Sequence, residues 1–216
     1  MSIEDNVKKL LREMPGGVEL LAAVKGRAVE DVIRAVDAGI YLIGENYVQE
    51  SQRLNQIIGD RVRWHFIGHL QKNKTGKAIK IFDMIETVDS LELAEEINRQ
   101  CSSLAEVIPV LIEINSGREP QKHGVFPENA EILIRAIAGL PYIKVDGLMT
   151  MGPVKDNPAE LSPYFRETRR IYEYLQHSAL PNVEMKYLSM GMSGSYQTAI
   201  AEGANIIRIG TKIFEP

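Results

Sequence analysis

Eight short apolar segments alternate with amphipathic segments along this chain, and this alternation constrains the fold more than any other feature of the sequence. We predict that the apolar segments are strands, and they cover residues 19–25, 41–44, 63–68, 84–88, 108–114, 143–149, 185–189 and 205–209. Strands that alternate with helices form parallel sheets, because each helix carries the chain back across the sheet. Eight such strands match a closed (β/α)₈ barrel, the TIM barrel. An open doubly wound sheet is the alternative α/β architecture.

The length of 216 residues fits one barrel-sized domain, which we assign to residues 1–216. No low-complexity linker or change in composition divides the chain. Ser2 and Asp5 can cap a first helix, and Pro15 with the two glycines after it ends that helix. Since few residues follow the eighth strand, we expect the helix in residues 1–15 to pack on the barrel and cover the last strand.

Composition and charge exclude several classes of function. The net charge of −4 argues against a nucleic-acid-binding surface, which needs clustered cationic side chains. The single cysteine, Cys101, excludes an internal disulfide and a cysteine-based metal cage, and no spacing of His, Asp and Glu predicts a metal site. The sequence has neither a signal-peptide pattern nor an apolar stretch of membrane-spanning length. We therefore expect a cytoplasmic protein that binds neither nucleic acids nor membranes.

Lys25 closes the first apolar segment and is followed at once by Gly26. We expect a lysine at the end of a buried strand to be held out of bulk water, where the ammonium is penalised and the neutral amine is a nucleophile. Such an amine can form a Schiff base with an aldehyde. Most lysines near strand ends are solvated and structural, so Lys25 gains meaning only from what else lies at the same end of the barrel.

The far end of the chain has the composition of a phosphate site. Glycines and serines fill residues 189–195, between strand seven and a helix predicted to start near Ser195, while Gly210 and Thr211 follow strand eight. Backbone N–H groups in such loops, with the hydroxyls of Ser193 and Ser195, can hold a phosphate. The loops after strands seven and eight are where many barrels do so. A plain turn with a helix cap is the alternative interpretation.

Arg208 lies among isoleucines in the eighth strand. A buried guanidinium needs an acceptor, because an unpaired buried charge is costly. The acceptor is either a nearby carboxylate or a ring nitrogen or anion of a ligand. We interpret His65, in the third strand, as a hydrogen-bonded core histidine.

Five segments carry a resemblance to a known family: residues 44–50 (GENYVQE), 64–74 (WHFIGHLQKNK), 147–149 (GLM), 188–193 (LSMGMS) and 208–211 (RIGT). Together they resemble the pyridoxal phosphate homeostasis proteins, also called the proline synthetase co-transcribed family. These are single-domain relatives of the alanine racemase N-terminal barrel. The resemblance runs from Leu20 to Phe214 and implies a barrel of that type.

The resemblance implies a ligand, pyridoxal 5′-phosphate (PLP), and the residues that bind it: Lys25, Asn46, Met192, Ser193, Arg208, Gly210 and Thr211. The lysine would carry the PLP. The serine, the glycine and the threonine would hold its phosphate, partly through backbone N–H groups. The arginine would lie near the pyridine nitrogen, and the asparagine and the methionine would line the pocket.

The chain departs from the family pattern at the end of the first strand. Where relatives usually have Ser-Lys-Thr-x-Pro, residues 24–28 read VKGRA, and Ser195 lies near the place of a usual Asp. Even so, the resemblance implies a Schiff base on Lys25.

The implied function is that of a PLP-binding protein in intracellular PLP homeostasis, which holds PLP as a Schiff base and buffers or delivers it. PLP-dependent apo-enzymes are candidate recipients, and the expected state is a monomer or weak dimer. Alanine racemases use a second domain that supplies a tyrosine base, and this chain ends after the barrel. We therefore expect a carrier without catalytic residues. Three alternatives stay open: a weakly active PLP-dependent amino-acid racemase or decarboxylase, a Schiff-base aldolase for a phosphorylated sugar, and a non-catalytic interaction protein.

Overall fold

The computed structural model describes residues 2–155 and 157–215. Its strands are β1 Glu19–Ala23, β2 Leu42–Glu45, β3 Arg63–Phe66, β4 Met84–Val88, β5 Ile108–Glu113, β6 Ile143–Thr150, β7 Val183–Met190 and β8 Ile206–Ile209. Each strand pairs in parallel with the next, and β8 pairs with β1 to close the barrel. The predicted TIM barrel is confirmed with a strand at each of the eight predicted places, and the open sheet is excluded.

Helices pack around the outside of the barrel. They are α1 Ile3–Glu13, α2 Val29–Asp37, α3 Val48–Ile58, α4 Thr75–Ala78, α5 Leu91–Ser102, α6 Ala130–Ile137, α7 Ser162–Gln176, α8 Tyr196–Ala201 and α9 Thr211–Phe214. Outward-facing strand residues such as Leu20, Ile43 and Ile207 form the main hydrophobic core with apolar residues of these helices. In the two described ranges, no helix combines the length and the apolar character needed to cross a membrane.

The inside of the barrel is divided into an apolar layer and a polar layer. Because side chains alternate along each strand, inward-facing residues lie two apart. The apolar layer contains Leu21, Leu42, Met84, Leu111, Met149, Tyr187 and Ile206. One step nearer the carboxyl ends, four of these strands carry the buried polar side chains Glu86, Glu113, Ser189 and Arg208, and β3 adds the buried His65. The apolar layer thus forms a floor, and the polar layer lies between this floor and the mouth of the barrel.

The N-terminal helix α1 covers the outside of the barrel near β8, as predicted. It begins with the predicted capping box and contacts both α2 and α9. The buried Asn6 donates a hydrogen bond through Nδ2 to the carbonyl oxygen of Ile213 at 3.1 Å. The hydroxyl of Tyr196, in α8, donates to Oε2 of Glu13 at 3.0 Å. Helix α1 therefore contacts α8 and α9, which precede and follow β8, and α2, which follows β1.

Glu113 brings a carboxyl group into the polar layer, where the residue is only 6% exposed. Burial raises the pKa of Glu113 to about 7; the Asp89 carboxylate adds to this rise and the Arg208 guanidinium opposes it. The folded protein therefore holds this proton more tightly than the unfolded chain does. Its contribution to stability is fully present below pH 4.5, the ordinary pKa, and is lost as the pH rises through about 7.

We predict that Asn6→Ala lowers the free energy of unfolding by about 1–3 kcal/mol, because the substitution leaves the buried carbonyl of Ile213 without its donor. Urea unfolding followed by circular dichroism measures the change. Asn73→Ala alters an exposed asparagine and serves as the matched control, with an expected change below about 0.5 kcal/mol. Equal losses in the two variants would show that Asn6 does not anchor α1.

Glu113→Gln replaces the ionisable group by a neutral one of the same shape. We predict that variant and parent have equal free energies of unfolding near pH 4.5, and that the variant is more stable by about 1–3 kcal/mol at about pH 8. Urea unfolding over this pH range provides the measurement. Glu95→Gln, at an exposed position of α5, is the control. Its free energy of unfolding should not rise relative to that of the parent as the pH increases. A difference of constant size at every pH would contradict the raised pKa.

Candidate cofactor-binding site

The barrel brings the predicted site residues to one side of its mouth. They lie at the carboxyl ends of four consecutive strands, which are β7 (Met192, Ser193), β8 (Arg208, Gly210, Thr211), β1 (Lys25) and β2 (Asn46). The residues after β1 and those after β8 come from opposite ends of the chain. They become neighbours because the barrel closes between these two strands.

Lys25 lies between Asn46 and the loop after β8. The pairing of β1 with β2 ends at Ala23 and Gly44, and the N–H of Val24 still donates to the carbonyl of Gly44 at 3.0 Å, so Lys25 and Asn46 follow adjacent strand ends. On the other side, a Cβ on Gly210 would lie 3.3 Å from the carbonyl oxygen of Ala23, so the loop after β8 runs against the end of β1. Strand neighbours therefore bring together the lysine, the asparagine and one of the two loops predicted to bind phosphate.

The side chain of Lys25 is exposed, so the expectation that the strand holds it out of bulk water is wrong. Strand β1 ends at Ala23, and the N–H of Arg27 donates to the carbonyl of Val24 at 3.0 Å in a turn that carries Lys25 past the end of the strand. Its Nζ lies 5.3 Å from the centroid of the Tyr47 ring, within the range of a cation–π contact. The amine is therefore reachable from solvent at the mouth of the barrel.

The turn also explains the glycine that follows the lysine. Gly26 has a φ of 66°, a conformation that strains residues with a Cβ. A Cβ at this position would meet nothing within 4 Å, so the constraint comes from the backbone and not from crowding. The departure from the family sequence at this point thus corresponds to a tight turn that presents Lys25.

The loop after β7 is folded back on helix α8. Gly191 has a φ of 88°, and a Cβ there would lie 2.6 Å from Cβ of Ala199, so only glycine fits. The buried Ser195 accepts a hydrogen bond through Oγ from the N–H of Met192 at 3.1 Å. The hydroxyl of Ser195 therefore stabilises the turn of this loop, whereas the side chain makes no capping hydrogen bond to α8.

The loops after β7 and β8 are joined to each other. The N–H of Lys212 donates to Oγ of Ser193 at 3.4 Å. Ser193 and Gly210 are partly buried, whereas Thr211 is exposed and Met192 is 43% exposed. The two segments predicted to hold a phosphate thus form one continuous surface beside β1.

Arg208 is only 4% exposed and is held by three groups inside the barrel. Its Nη1 donates to Oγ of Ser189 at 2.6 Å, and its Nη2 donates to the carbonyl of Thr150 at 2.9 Å. Oε2 of Glu86 lies 3.9 Å from Nη1. The expected carboxylate acceptor is therefore present, and the Ser189 hydroxyl bridges the guanidinium and the carboxylate.

Glu86 is fully buried and receives two short hydrogen bonds. Ser189 donates to Oε2 at 2.6 Å, and Nδ1 of His65 donates to Oε1 at 2.6 Å. Burial opposes ionisation, but the contacts with His65, Arg208 and Ser189 hold the pKa of Glu86 below its usual value. The ionised Glu86 balances the charge of Arg208, and His65 has the core role that the sequence predicted.

Glu45 is a second buried carboxyl group near the lysine. Its Oε2 accepts hydrogen bonds from the N–H groups of Asn46 at 2.8 Å and Tyr47 at 3.4 Å. Burial raises the pKa of Glu45 to about 7, while these two donors and the Lys25 charge oppose the rise. The carboxyl group of Glu45 therefore changes its charge near neutral pH.

Sequence analysis missed Glu45, Glu86 and Glu113. A signal was available, because each is a charged residue at the end of or within an apolar strand segment, the same pattern that singled out Arg208. That pattern identifies a buried charge but not its partner. The partner depends on which strands face each other across the barrel.

The mouth of the barrel combines three chemical features. Lys25 provides a primary amine that solvent can reach. The loops after β7 and β8 provide N–H and hydroxyl groups. Arg208 provides a guanidinium, which donates hydrogen bonds but cannot accept them. Together these can hold a small molecule that carries an aldehyde, an anion and a ring nitrogen with a lone pair.

Comparison with known proteins gives the family. The profile of the alanine racemase N-terminal domain matches residues 1–215. The pyridoxal phosphate homeostasis protein of Aquifex aeolicus is 41% identical over 91% of this chain and 86% of its own length. The protein of the same name from Haemophilus influenzae is 38% identical over 91% of this chain and 84% of its own.

Solved structures agree with these matches. PipY of Synechococcus elongatus with PLP bound has a TM-score of 0.90 and 31% identity, and the match covers 99% of this chain and 100% of PipY. An alanine racemase of Clostridium difficile has a TM-score of 0.78 and 20% identity, and the chain covers 55% of that protein, so this likeness concerns the fold alone. The chain therefore belongs to the alanine racemase N-terminal domain family and, within it, to the pyridoxal phosphate homeostasis proteins.

Proposed function

We propose that this chain binds PLP reversibly as a Schiff base on Lys25 and takes part in intracellular PLP homeostasis. The observation that supports the proposal is the closure of the barrel between β8 and β1, because it sets the end of β1, which Lys25 follows, against the joined loops after β7 and β8. The aldehyde of PLP supplies an electrophilic carbon to which an amine can bind covalently and reversibly. Family membership adds support, since relatives bear the name pyridoxal phosphate homeostasis protein and PipY has been solved with PLP bound.

The loops after β7 and β8 would receive the phosphate. Ser193 and Thr211 carry hydroxyls, and Gly210 allows the backbone to approach a ligand closely. Ser195 is assigned a supporting role, because its hydroxyl already binds the N–H of Met192 and so fixes the shape of the loop. Met192 and Asn46 would line the pocket on either side of the lysine.

Arg208 would face the pyridine nitrogen. Its guanidinium is a hydrogen-bond donor only, so it can bind the lone pair of an unprotonated ring nitrogen. Ser189, Thr150 and Glu86 fix its position and balance its charge. An unprotonated ring is a weak electron sink, and this favours storage of PLP over amino-acid chemistry.

The proposed physiological role is to buffer PLP and deliver it to PLP-dependent apo-enzymes in the cytoplasm. The whole of residues 1–216 would act as a single PLP-binding domain, as a monomer or weak dimer. A carrier needs a reversible bond and an amine that solvent and partners can reach, and the exposure of Lys25 meets the second requirement.

Lys25→Ala should abolish the near-ultraviolet and visible absorbance band that PLP gains when it forms a Schiff base with the parent protein. Borohydride reduction followed by peptide mass spectrometry should place the pyridoxyl label on Lys25. Lys74→Ala is the matched control, because Lys74 lines the cavity next to Asn46 and should leave the band unchanged.

Four outcomes would contradict parts of this proposal. A label on another lysine would contradict the site, and absence of the band in the parent would contradict PLP binding. Turnover of any proteinogenic amino acid faster than with free PLP would contradict the carrier role and favour the racemase or decarboxylase alternative. A sugar-derived adduct after reduction of protein taken directly from cells would favour the aldolase.

The double variant Ser193→Ala/Thr211→Ala should weaken PLP binding about 10- to 100-fold, because hydrogen bonds to a charged group contribute about 1.5–3 kcal/mol. Titration followed by absorbance measures the affinity. Pyridoxal, which lacks the phosphate, should bind parent and variant equally. Ser102→Ala, at an exposed position in α5, should not change either affinity. An equal loss for PLP and pyridoxal would show that these hydroxyls do not hold the phosphate.

A further inference from the structure

Three potential metal ligands meet at the part of the barrel mouth that the proposed PLP site does not use. His69 follows β3, Asp89 follows β4, and His123 lies in the loop after β5. One nitrogen from each histidine and one oxygen from the carboxylate all lie within 4.8 Å of one another. We propose that His69, Asp89 and His123 form a binding site for a divalent first-row transition metal ion, with Zn²⁺ as the best-fitting ion.

The three side chains lie within reach of a shared ion, and the stacked imidazole rings must turn for their nitrogens to converge on it. The two imidazole rings stack with their centroids 3.6 Å apart and their planes 12° apart, and Nδ1 of His123 lies 3.9 Å from Oδ2 of Asp89. Tetrahedral Zn²⁺ with bonds of about 2.0–2.1 Å brings its ligand atoms to about 3.4 Å from one another. Both histidine side chains are exposed, so rotation about their side-chain torsions can supply the remaining contraction.

The backbone that carries these ligands is fixed by hydrogen bonds. The hydroxyl of Thr87 donates to the carbonyl of Gly68 at 2.6 Å, immediately before His69. The N–H of Gly124 donates to Oδ2 of Asp89 at 3.3 Å, so the residue after His123 orients the carboxylate. Such supporting contacts are typical of metal ligands, because they reduce the entropy that binding must overcome.

The loop of His123 is held on β5 in the same way. The N–H of Val125 donates to the carbonyl of Glu113 at 2.8 Å, and the N–H of Asn115 donates to the carbonyl of Val125 at 2.9 Å. The side-chain amide of Asn115 also donates to the carbonyl of Glu119 at 2.9 Å. The loop from Asn115 to Gly124 is therefore folded onto the strand, which places His123 beside His69.

The donor set selects among metal ions. Two imidazoles and one carboxylate suit Zn²⁺ and its first-row neighbours, whereas Mg²⁺ and Ca²⁺ prefer oxygen ligands. Three protein ligands leave a fourth position for water or another small ligand.

The ligands are invisible to a motif search because they are far apart in the sequence. The absence of recognisable metal spacing predicted no site, but the barrel brings the ends of β3, β4 and β5 together. His69 also lines a cavity of about 450 Å³ with Asn46, so the ion would border the proposed PLP site while using other strands. The metal proposal does not depend on PLP binding.

Isothermal titration of tag-free protein with ZnCl₂ tests the proposal, with PLP omitted because PLP itself binds metal ions. We expect one Zn²⁺ per chain and no binding of Mg²⁺ at the same concentrations. His69→Ala and His123→Ala should each weaken binding at least 10-fold. His177→Ala is the matched control, since His177 is exposed at the end of α7 and should leave the affinity unchanged.

Co²⁺ titration supplies a second readout that reports on the ligands themselves. The parent should give the intense d–d absorption band of four- or five-coordinate Co²⁺, and Asp89→Asn should weaken or shift that band while His177→Ala retains it. Thermal melts without metal confirm that the variants fold. The proposal is overturned if the parent binds no Zn²⁺, or if His69→Ala and His123→Ala bind it as tightly as the parent does.

Discussion

The buried charge of Arg208 is the constraint on which the site depends. A guanidinium inside a barrel must find acceptors from other strands, because water cannot reach it and an unpaired charge there would be costly. Ser189 on β7, Thr150 on β6 and Glu86 on β4 supply those acceptors, and His65 on β3 supports the carboxylate. The charge of Arg208 thus engages side chains of three other strands and the backbone carbonyl of a fourth.

This polar layer divides the barrel into a structural floor and a mouth available for chemistry. Below it, side chains such as Leu21, Met84 and Ile206 fill the interior, so no ligand can pass deeper. Above it, the mouth divides into two halves that use different strands. The ends of β7, β8, β1 and β2 present the amine of Lys25 and the loops that follow β7 and β8, while the ends of β3, β4 and β5 present two imidazoles and a carboxylate. The rule that barrel ligands bind at strand carboxyl ends accounts for both halves.

Local patterns predicted the elements well and their ends less well. Each of the eight apolar segments contains a strand. A short segment that is apolar throughout, or at every second residue, buries its side chains when it is extended in a sheet that helices cover. The first segment was extended too far, to Lys25, since the turn set by Gly26 interrupts the strand after Ala23. The same error gave the wrong expectation for the exposure of Lys25. Hydrophobicity reports that a segment is buried but not where the backbone leaves the sheet.

The sequence by itself determined the fold class and the family, because strand alternation and short motifs are local properties of the chain. The same motifs predicted which residues bind PLP. The sequence also predicted that the buried guanidinium of Arg208 binds a hydrogen-bond acceptor. Only the tertiary structure decided which carboxylate balances that charge, that Lys25 is reachable from solvent, and that His69, Asp89 and His123 meet. The physical reason is that these features depend on pairs of residues distant in sequence, and closure of the barrel is what sets the distances between them.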